Sequence, residues 1–582
     1  MRVLLLHPED SPQRGPWAAR RWDLVVDLGK SSRYWEEVQA QRFGCPVLRA
    51  DLFRKGLADA KQVRELLSSG HGHLMDEEGI DWWDLTCLEF IAGSLTVLAV
   101  LRVSAEIPAS AEFWSTRPGW PASIFALLPG RSLQSFGVGR LTRVAVGAGR
   151  YAGLLRRFPV SQIKEIFLDK YDSGYQWRAR FASRQETRVE PVVIIPSAYG
   201  NVSRMAAAYA RLLPQQPFLM IATRQSAKQF KPQANVQVRD LAAYAKGDFS
   251  TAEIADLLER WEKLSAELGS SPELQVLLQS GLMDPVRRWI RDGICARNAW
   301  RDVLEREPVS GVLCGDDSNL FTRLPVLLAA RRKIPTADFH HGALDGRYLY
   351  KDVPCDVYMA KNEMERDYLL RVCGLPTEKV VVAAPAVAHL PTTQPNGSHG
   401  RLVVLFSEPY EAVGMRAEEV YRELLPRLLQ MARENGRGFV IKLHPFESLA
   451  QRRRLVRDIL GPGDSELVTV LDGPLTSDLI SQVWCGMTVE STTVIDCWEI
   501  GVCCFLCGWL TLSPFDYAQQ YARFGVGEVL QGPNQIAEIP ARLVNFYSRP
   551  APTILTKAAD PAMLRRWLTS TVPEPYDART AS

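Results

Sequence analysis

Between Arg401 and Gly508, short apolar or β-branched runs alternate with amphipathic stretches long enough to be helices. The runs predict strands over 402–406, 439–443, 467–471, 483–489 and 502–506, since four to seven such residues bounded by turn formers suit a strand buried on both faces. Helical spacing of apolar positions predicts helices over 417–434, ended by Asn435-Gly436, and over 447–460, stopped by Gly461-Pro462. Two more are expected from about Thr476 and from near Thr492. Strands alternating with helices in this way imply a parallel sheet covered on both faces.

Upstream, 192–195, 311–314 and 336–339 are strand candidates among long helical segments such as 252–268 and 284–307, so this stretch is also α/β. Residues 1–185 open with strand candidates over 3–6 and 24–27 and continue into a Trp- and Pro-rich middle around 113–121. They form either a separate N-terminal domain or an enlarged first lobe. The segment His389–Gly400, HLPTTQPNGSHG, lacks apolar periodicity and reads as a linker. The expected organisation is an N-terminal α/β region over 1–185, a first Rossmann-like lobe over 186–390, a linker over 391–400, a second Rossmann-like lobe over 401–545, and a C-terminal helix and polar tail over 546–582.

Composition narrows the class. A chain of 582 residues that is 46% hydrophobic and 23% charged can build large cores and is neither disordered nor fibrous. Sixty-nine Lys plus Arg against 66 Asp plus Glu leave +3, which gives no whole-chain electrostatic case for nucleic acid. Met1–His7 reads as a buried strand instead of a signal peptide. The uncharged runs 90–101 and 500–515 fall short of the ~18 apolar residues of a membrane span. Eleven scattered cysteines read as reduced core thiols, and a cytoplasmic location is expected. Cys504-Phe-Leu-Cys507 has CxxC spacing inside a hydrophobic run and reads as a buried strand, not a zinc or redox pair.

Ligands of open parallel sheets bind beyond the carboxyl ends of the strands. Residues just after each expected strand are therefore the candidates. His340-His341-Gly342 follows 336–339; a histidine there can accept a proton near neutral pH, and the glycine lets a ligand approach the backbone. Lys442-Leu443-His444-Pro445 ends 439–443, where His444 could donate to a phosphate or leaving-group oxygen. Glu490-Ser491-Thr492-Thr493 precedes a helix whose N-cap is Ser491 or Thr492, a pattern suited to phosphate. Ser407-Glu408 follows 402–406 and could contact base, ribose or acceptor. Each cluster also has a bland reading as capped turns. Gly29-Lys30-Ser31 lacks the earlier glycine of a phosphate-binding loop. Asp316-Asp317 reads as a solvated helix start before it reads as a metal site. The tryptophans at 82, 83, 114 and 120 suit packing better than a sugar platform.

Taken in order, HisHisGly, the phrase Cys355-Asp356-Val357-Tyr358 leading to Gly374-Leu375, LysLeuHisPro and GluSerThrThr resemble the GT-B glycosyltransferases of bacterial surface polysaccharide synthesis. That group includes capsule Kdo transferases, sialyl- and polysialyltransferases, and CDP-glycerol glycerophosphotransferases. The resemblance spans about Gly311 to Gly508. It implies two Rossmann-like lobes facing a cleft, with the N-terminal region added, the acceptor on the first lobe and the nucleotide donor on the second. His341 would be the base, with Asp345 of Leu344-Asp345-Gly346 as the alternative found in sialyltransferase-like members. His340 and Gly342 would lie on the acceptor side. His444 would assist departure of the nucleotide, and Lys442, Glu490, Ser491, Thr492, Thr493, Ser407 and Glu408 would line the donor.

The expected function is metal-independent transfer from a CMP- or CDP-linked donor to a glycan or lipid-linked acceptor, with no cofactor. Peripheral contact with the inner membrane face, through basic surface such as Arg452 to Arg457, or with other polysaccharide-assembly proteins is compatible with this. The alternatives are a UDP-GlcNAc 2-epimerase-like enzyme and a non-catalytic GT-B scaffold.

Overall fold

The computed structural model describes residues 1–12, 14–29, 33–50, 57–136, 190–245, 250–342, 344, 347–349, 351–385, 399–473, 475–510, 517–548 and 556–569. The expected linker, except His399 and Gly400, and the polar tail from 570 onward lie outside them, as do Asp345, Lys30 and Ser31.

The chain is α/β throughout, built on parallel sheets. The first contains β1 (Arg2–Leu6), β2 (Leu24–Asp27), β3 (Val47–Arg49), β4 (Glu112–Ser115) and β5 (Ser132–Ser135), ordered β3-β2-β1-β4-β5. The second contains β6 (Val192–Ser197), β7 (Phe218–Ala222), β8 (Val236–Asp240), β9 (Val309–Cys314), β10 (Thr336–Asp338), β11 (Val357–Ala360) and β12 (Val380–Val382), ordered β12-β11-β10-β9-β6-β7-β8. The third contains β13 (Leu402–Phe406), β14 (Gly438–Lys442), β15 (Val468–Leu471), β16 (Val483–Thr488), β17 (Cys504–Cys507) and β18 (Glu528–Leu530), ordered β15-β14-β13-β16-β17-β18. In each sheet the chain winds outward from its first strand, returns, and winds out the other way. Each therefore has a switch point where ligands of doubly wound folds bind: β1/β4, β6/β9 and β13/β16. The Trp- and Pro-rich stretch that resisted reading supplies β4 of the first sheet.

The strands are buried because both faces are covered: all six residues of β6 and all six of β16 are buried. The helix Ala417–Glu434 lays Val420, Leu424, Leu425, Leu428 and Met431 against the third sheet. The helix breaks at Gly461-Pro462, where a stop is expected: Gly461 leaves helical dihedrals at φ 80°, ψ 171°, which glycine tolerates, and a second short helical piece follows to Ser465. Cys504 and Cys507 lie in a strand buried along its length, and burial pushes both thiols well up.

The chain forms two compact units. One gathers Met1–Asp59, Gly93–Val146 and Ala388–Ile554 and holds the first and third sheets; the other gathers Ala60–Ala92, Gly147–Val387 and Leu555–Ser582 and holds the second. In the second unit, buried Arg297 pairs with Asp76 at 2.7 Å and with Glu253 at 2.6 Å, while Trp82 Nε1 donates to Asp76 at 2.9 Å. Bridges at Asn362–Thr556 and Ala384–Ala558 lead to the C-terminal helix Pro561–Thr569. Its Leu568 carbonyl lies where a side chain at Gly311 would be, so β9 needs glycine there. The helix Trp82–Ala105 is long and apolar enough to cross a membrane, although its uncharged core run is shorter than a span; 61% of its most apolar window is buried. Trp82 and Trp83 are core residues, as expected.

Within the first unit, one guanidinium joins the two sheets. Arg416, immediately before the helix Ala417–Glu434, donates to both Asp27 carboxylate oxygens at 2.7 and 2.6 Å. It also reaches the carbonyls of Leu6, His7 and Asp10 at 3.4, 3.2 and 3.3 Å. Gln39 bridges Asp27 and Glu419 at 3.1 and 3.0 Å. Asp27 supplies the charge that answers Arg416, so a second carboxylate is surplus. Burial, opposed by Arg416 and reinforced by Asp27, pushes Glu419 up to about 7. Arg416→Met should cost about 3–5 kcal/mol in chemical denaturation by stranding Asp27. The native state keeps a Glu419 proton that the unfolded chain releases near 4.5, so stability should fall as pH rises from about 4.5 to about 7. Glu419→Gln should flatten that slope in urea melts across the same interval.

Candidate functional site

Three strand exits of the third sheet lie side by side, those of β14, β13 and β16. Adjacent strands are about 4.8 Å apart, so the outer two of the three exits are roughly 10 Å apart. Lys442 closes β14, but its ammonium is committed to the backbone, donating to Leu443 O at 2.8 Å and Gly473 O at 2.7 Å. Burial lowers its pKa. The chain then turns through His444-Pro445-Phe446-Glu447, closed by Glu447 N donating to His444 O at 3.0 Å. Pro445 ends the ladder, as expected.

His444 is half-buried. Its Nδ1 accepts from Phe446 N at 3.2 Å, so in the neutral ring the proton sits on Nε2, which is left to donate. Burial, then the Lys442 charge, lowers its pKa and keeps the ring neutral near pH 7. The Phe446 ring, 74% exposed, lies 5.0 Å from the imidazole.

At the neighbouring exit, Ser407 donates to Glu447 at 2.8 Å and exchanges a hydrogen bond with Tyr421 at 2.8 Å. Glu408 Oε1 takes Thr488 Oγ1 at 2.7 Å and the amides of Val489 and Glu490 at 2.9 and 2.8 Å. Burial raises the Glu408 pKa, with these donors opposing. Through Oε1, Glu408 therefore fixes the turn that delivers Ser491-Thr492-Thr493. Ser491 Oγ accepts from Thr493 N at 3.3 Å and Thr493 Oγ1 at 3.1 Å, while Thr492 makes no side-chain cap to the helix Thr493–Glu499. Of the alternative N-caps, Ser491 does the capping.

This cluster lies at the β13/β16 switch point as two hydrogen-bonded groups, His444–Glu447–Ser407 and Glu408–Thr488–Ser491, which the peptide bond between Ser407 and Glu408 joins. Glu447 and Glu411 were not among the expected residues, and Arg452, expected on a basic surface, is buried because two carboxylates hold it. Arg452 pairs with Glu447 at 2.7 Å and holds Glu411 through both oxygens at 2.9 and 2.7 Å. A signal was present, since Glu447 is three residues after His444, the spacing at which a carboxylate reaches back to a turn's first amide.

His340 and His341 belong to the second unit, where they follow β10. His340 is buried, His341 is half-buried, and the rings are 4.9 Å apart. Lys361 donates to Gly342 O at 2.5 Å, anchoring the turn. Behind them, Asp317 is wholly buried, paired with Lys351 and, at 2.7 Å, with Arg323. Burial opposes its ionisation, but the two cations outweigh it and pull its pKa down. Burial and the Asp317 charge push Asp338, at the end of β10, well up. Asp317 is thus an ion-pair anchor, neither a solvated helix start nor a metal ligand. Elsewhere in this unit, His71, Asp81 and Asp84 bring ligand atoms within 4.8 Å of one another at the surface. Gly72 N and Trp83 N already occupy the Asp81 oxygens.

No protein-family model matches the chain, and no curated protein matches it in sequence. Its fold is similar to that of solved GT-B enzymes. UDP-GlcNAc 2-epimerase from Neisseria meningitidis, bound to UDP-GlcNAc, is 16% identical with a TM-score of 0.39 over 64% of this chain and 98% of that one. CalG4, the calicheamicin glycosyltransferase, is 14% identical with a TM-score of 0.37 over 66% and 95%. The wall teichoic acid polymerase TagF is 8% identical with a TM-score of 0.33 over 73% and 99%. Scores below 0.5 leave function to the chain's own residues.

Glu408→Ala should strand the Val489 and Glu490 amides, costing roughly 1–3 kcal/mol for each buried donor left unpaired. Those two amides should exchange hydrogen markedly faster in peptide-resolved exchange, and Glu408→Gln, which keeps one acceptor, should behave in between.

Proposed function

We propose that this chain is a glycosyltransferase of GT-B type, moving a sugar or related group from a nucleotide-activated donor to a glycan or lipid-linked acceptor. The observation that carries the reading is the row of groups at the β13/β16 switch point. There, a neutral imidazole with its proton on Nε2 and the hydroxyls of Ser491, Thr492 and Thr493 follow strands whose exits are roughly 10 Å apart, the scale of a nucleotide. Donors held rigidly where charge grows on a departing phosphate stabilise that charge without reorganising at the moment of reaction. A neutral His444 suits the role, since it donates a hydrogen bond without having to lose a proton first. In this division of labour the donor phosphate needs no metal.

His341 is proposed as the base that takes the acceptor hydroxyl proton, with Asp345 as the alternative. The pattern of HisPro and hydroxyl residues favours CMP- or CDP-linked donors, in keeping with surface polysaccharide synthesis in the cytoplasm or at the inner membrane face.

A thermal-shift series with CMP, CDP, UDP and GDP tests the donor side. A ligand at a hundred times its Kd adds about 2.7 kcal/mol to the native state. CMP or CDP should give the largest rise, and His444→Ala should abolish it. His341→Ala should keep the nucleotide shift and lose transfer. Rearrangement of a nucleotide sugar without any acceptor would instead establish an epimerase, and full transfer by His444→Ala would remove that residue from the mechanism.

A further inference from the structure

Resting on the reading of His444 as the group that meets the donor phosphate, we infer that Glu447 is its positioning residue, and that Arg452 and Glu411 keep Glu447 in place. Each link is a hydrogen bond of the structure. Glu447 Oε2 accepts the His444 amide at 2.8 Å, and Glu447 N donates back to His444 O at 3.0 Å, so the four-residue turn is closed from both ends. That closure points the Phe446 amide at His444 Nδ1, 3.2 Å away. The imidazole proton is thereby confined to Nε2. Protonating Nδ1 would set two donors against each other, so the same turn resists formation of the imidazolium.

Glu447 has little freedom of its own. Its Oε1 takes Arg452 Nε at 2.7 Å and Ser407 Oγ at 2.8 Å, with its side chain 1% exposed and that of Arg452 8%. The guanidinium of Arg452 is fixed in turn by the Glu411 carboxylate. A carboxylate that orients an imidazole through its outer contacts usually matters to the chemistry almost as much as the imidazole itself. Here the orientation is transmitted through the backbone turn instead of through the ring.

The charged groups around this turn are Lys442 on β14 with Asp472 beside it, Glu447 and Arg452 on the following segment, and Glu411 and Glu408 after β13. Of these, only Lys442 bears directly on the His444 charge, and it disfavours the imidazolium.

The test is residue-resolved C2-hydrogen exchange of the histidines by mass spectrometry across pH, on the full chain without any donor, comparing wild type with Glu447→Ala and Glu447→Gln. His444 should titrate below the ordinary 6.5 in the wild type, move back toward it in Glu447→Ala, and lie between in Glu447→Gln, which still offers an oxygen to the His444 amide. His341, in the other unit, should not move and serves as the internal control. Where transfer is measured, kcat should fall about tenfold or more in Glu447→Ala, a loss of at least roughly 1.4 kcal/mol of transition-state stabilisation, with the donor KM changed less than about threefold. A His444 titration identical in folded Glu447→Ala and wild type would overturn the inference. Should Glu447→Ala fail to fold, the comparison passes to Glu447→Gln and Ser407→Ala, and an unmoved His444 in both would overturn it equally. Because the exchange measurement needs no substrate, a chain that proves not to be a glycosyltransferase leaves this result standing or falling separately.

Discussion

A carboxylate taken out of water must be surrounded by donors or give up its charge, and that requirement shapes the loops after β13, β14 and β16. Glu408 gathers a hydroxyl and two amides from the turn after β16. Glu447 gathers an amide, a hydroxyl and a guanidinium. Neither loop can move without stranding a buried oxygen, at a cost of several kcal/mol for a charged group. The result is rigidity at strand exits, where backbone would otherwise be among the more mobile parts of a doubly wound sheet. Catalytic stabilisation of a leaving phosphate depends on that kind of preorganisation, because donors that must first be collected contribute little.

The same principle explains the first sheet's place in its unit. The exits of β1 and β4 would be a ligand crevice in an isolated doubly wound domain. Here His7 bonds Ser115 and Thr116 across the exit, and the Arg416 guanidinium takes up the carbonyls beside it. Arg416 stands just before the helix Ala417–Glu434 and ends the loop that begins with Ser407 and Glu408. That loop is therefore pinned near its start by Glu408, midway by Glu411 on Arg452, and at its end by Arg416 on Asp27. The first sheet thus acts, through Asp27, as an anchor for the proposed donor side.

Much of the architecture was legible because it is written in local patterns. The strands Leu402–Phe406 and Leu24–Asp27 and the helix Ala417–Glu434 lie where apolar runs and helical periodicity put them. The strand exits could be named for the same reason, since parallel sheets fix where side chains such as His444 and Ser491 emerge. What stayed hidden was tertiary. Nothing local shows that Lys442 turns to Gly473, that Asp317 meets Lys351, or that Arg416 finds Asp27 at a separation of 389 residues. Charged residues read as surface by default, because burial of a charge is decided by its partner and the partner is distant. The helix break at Gly461-Pro462, by contrast, was legible locally, since a glycine that can leave helical dihedrals followed by a proline interrupts the helix whatever packs around it.

The central claim is that a cytidine nucleotide binds at the exits of β13, β14 and β16. Peptide-resolved amide hydrogen exchange with and without saturating CMP or CDP addresses it directly. Bound nucleotide should slow exchange mainly in 407–411, 443–447 and 488–493. Slowed exchange confined to the exits of β6 and β9 in the other unit, with those three segments unchanged, would contradict it.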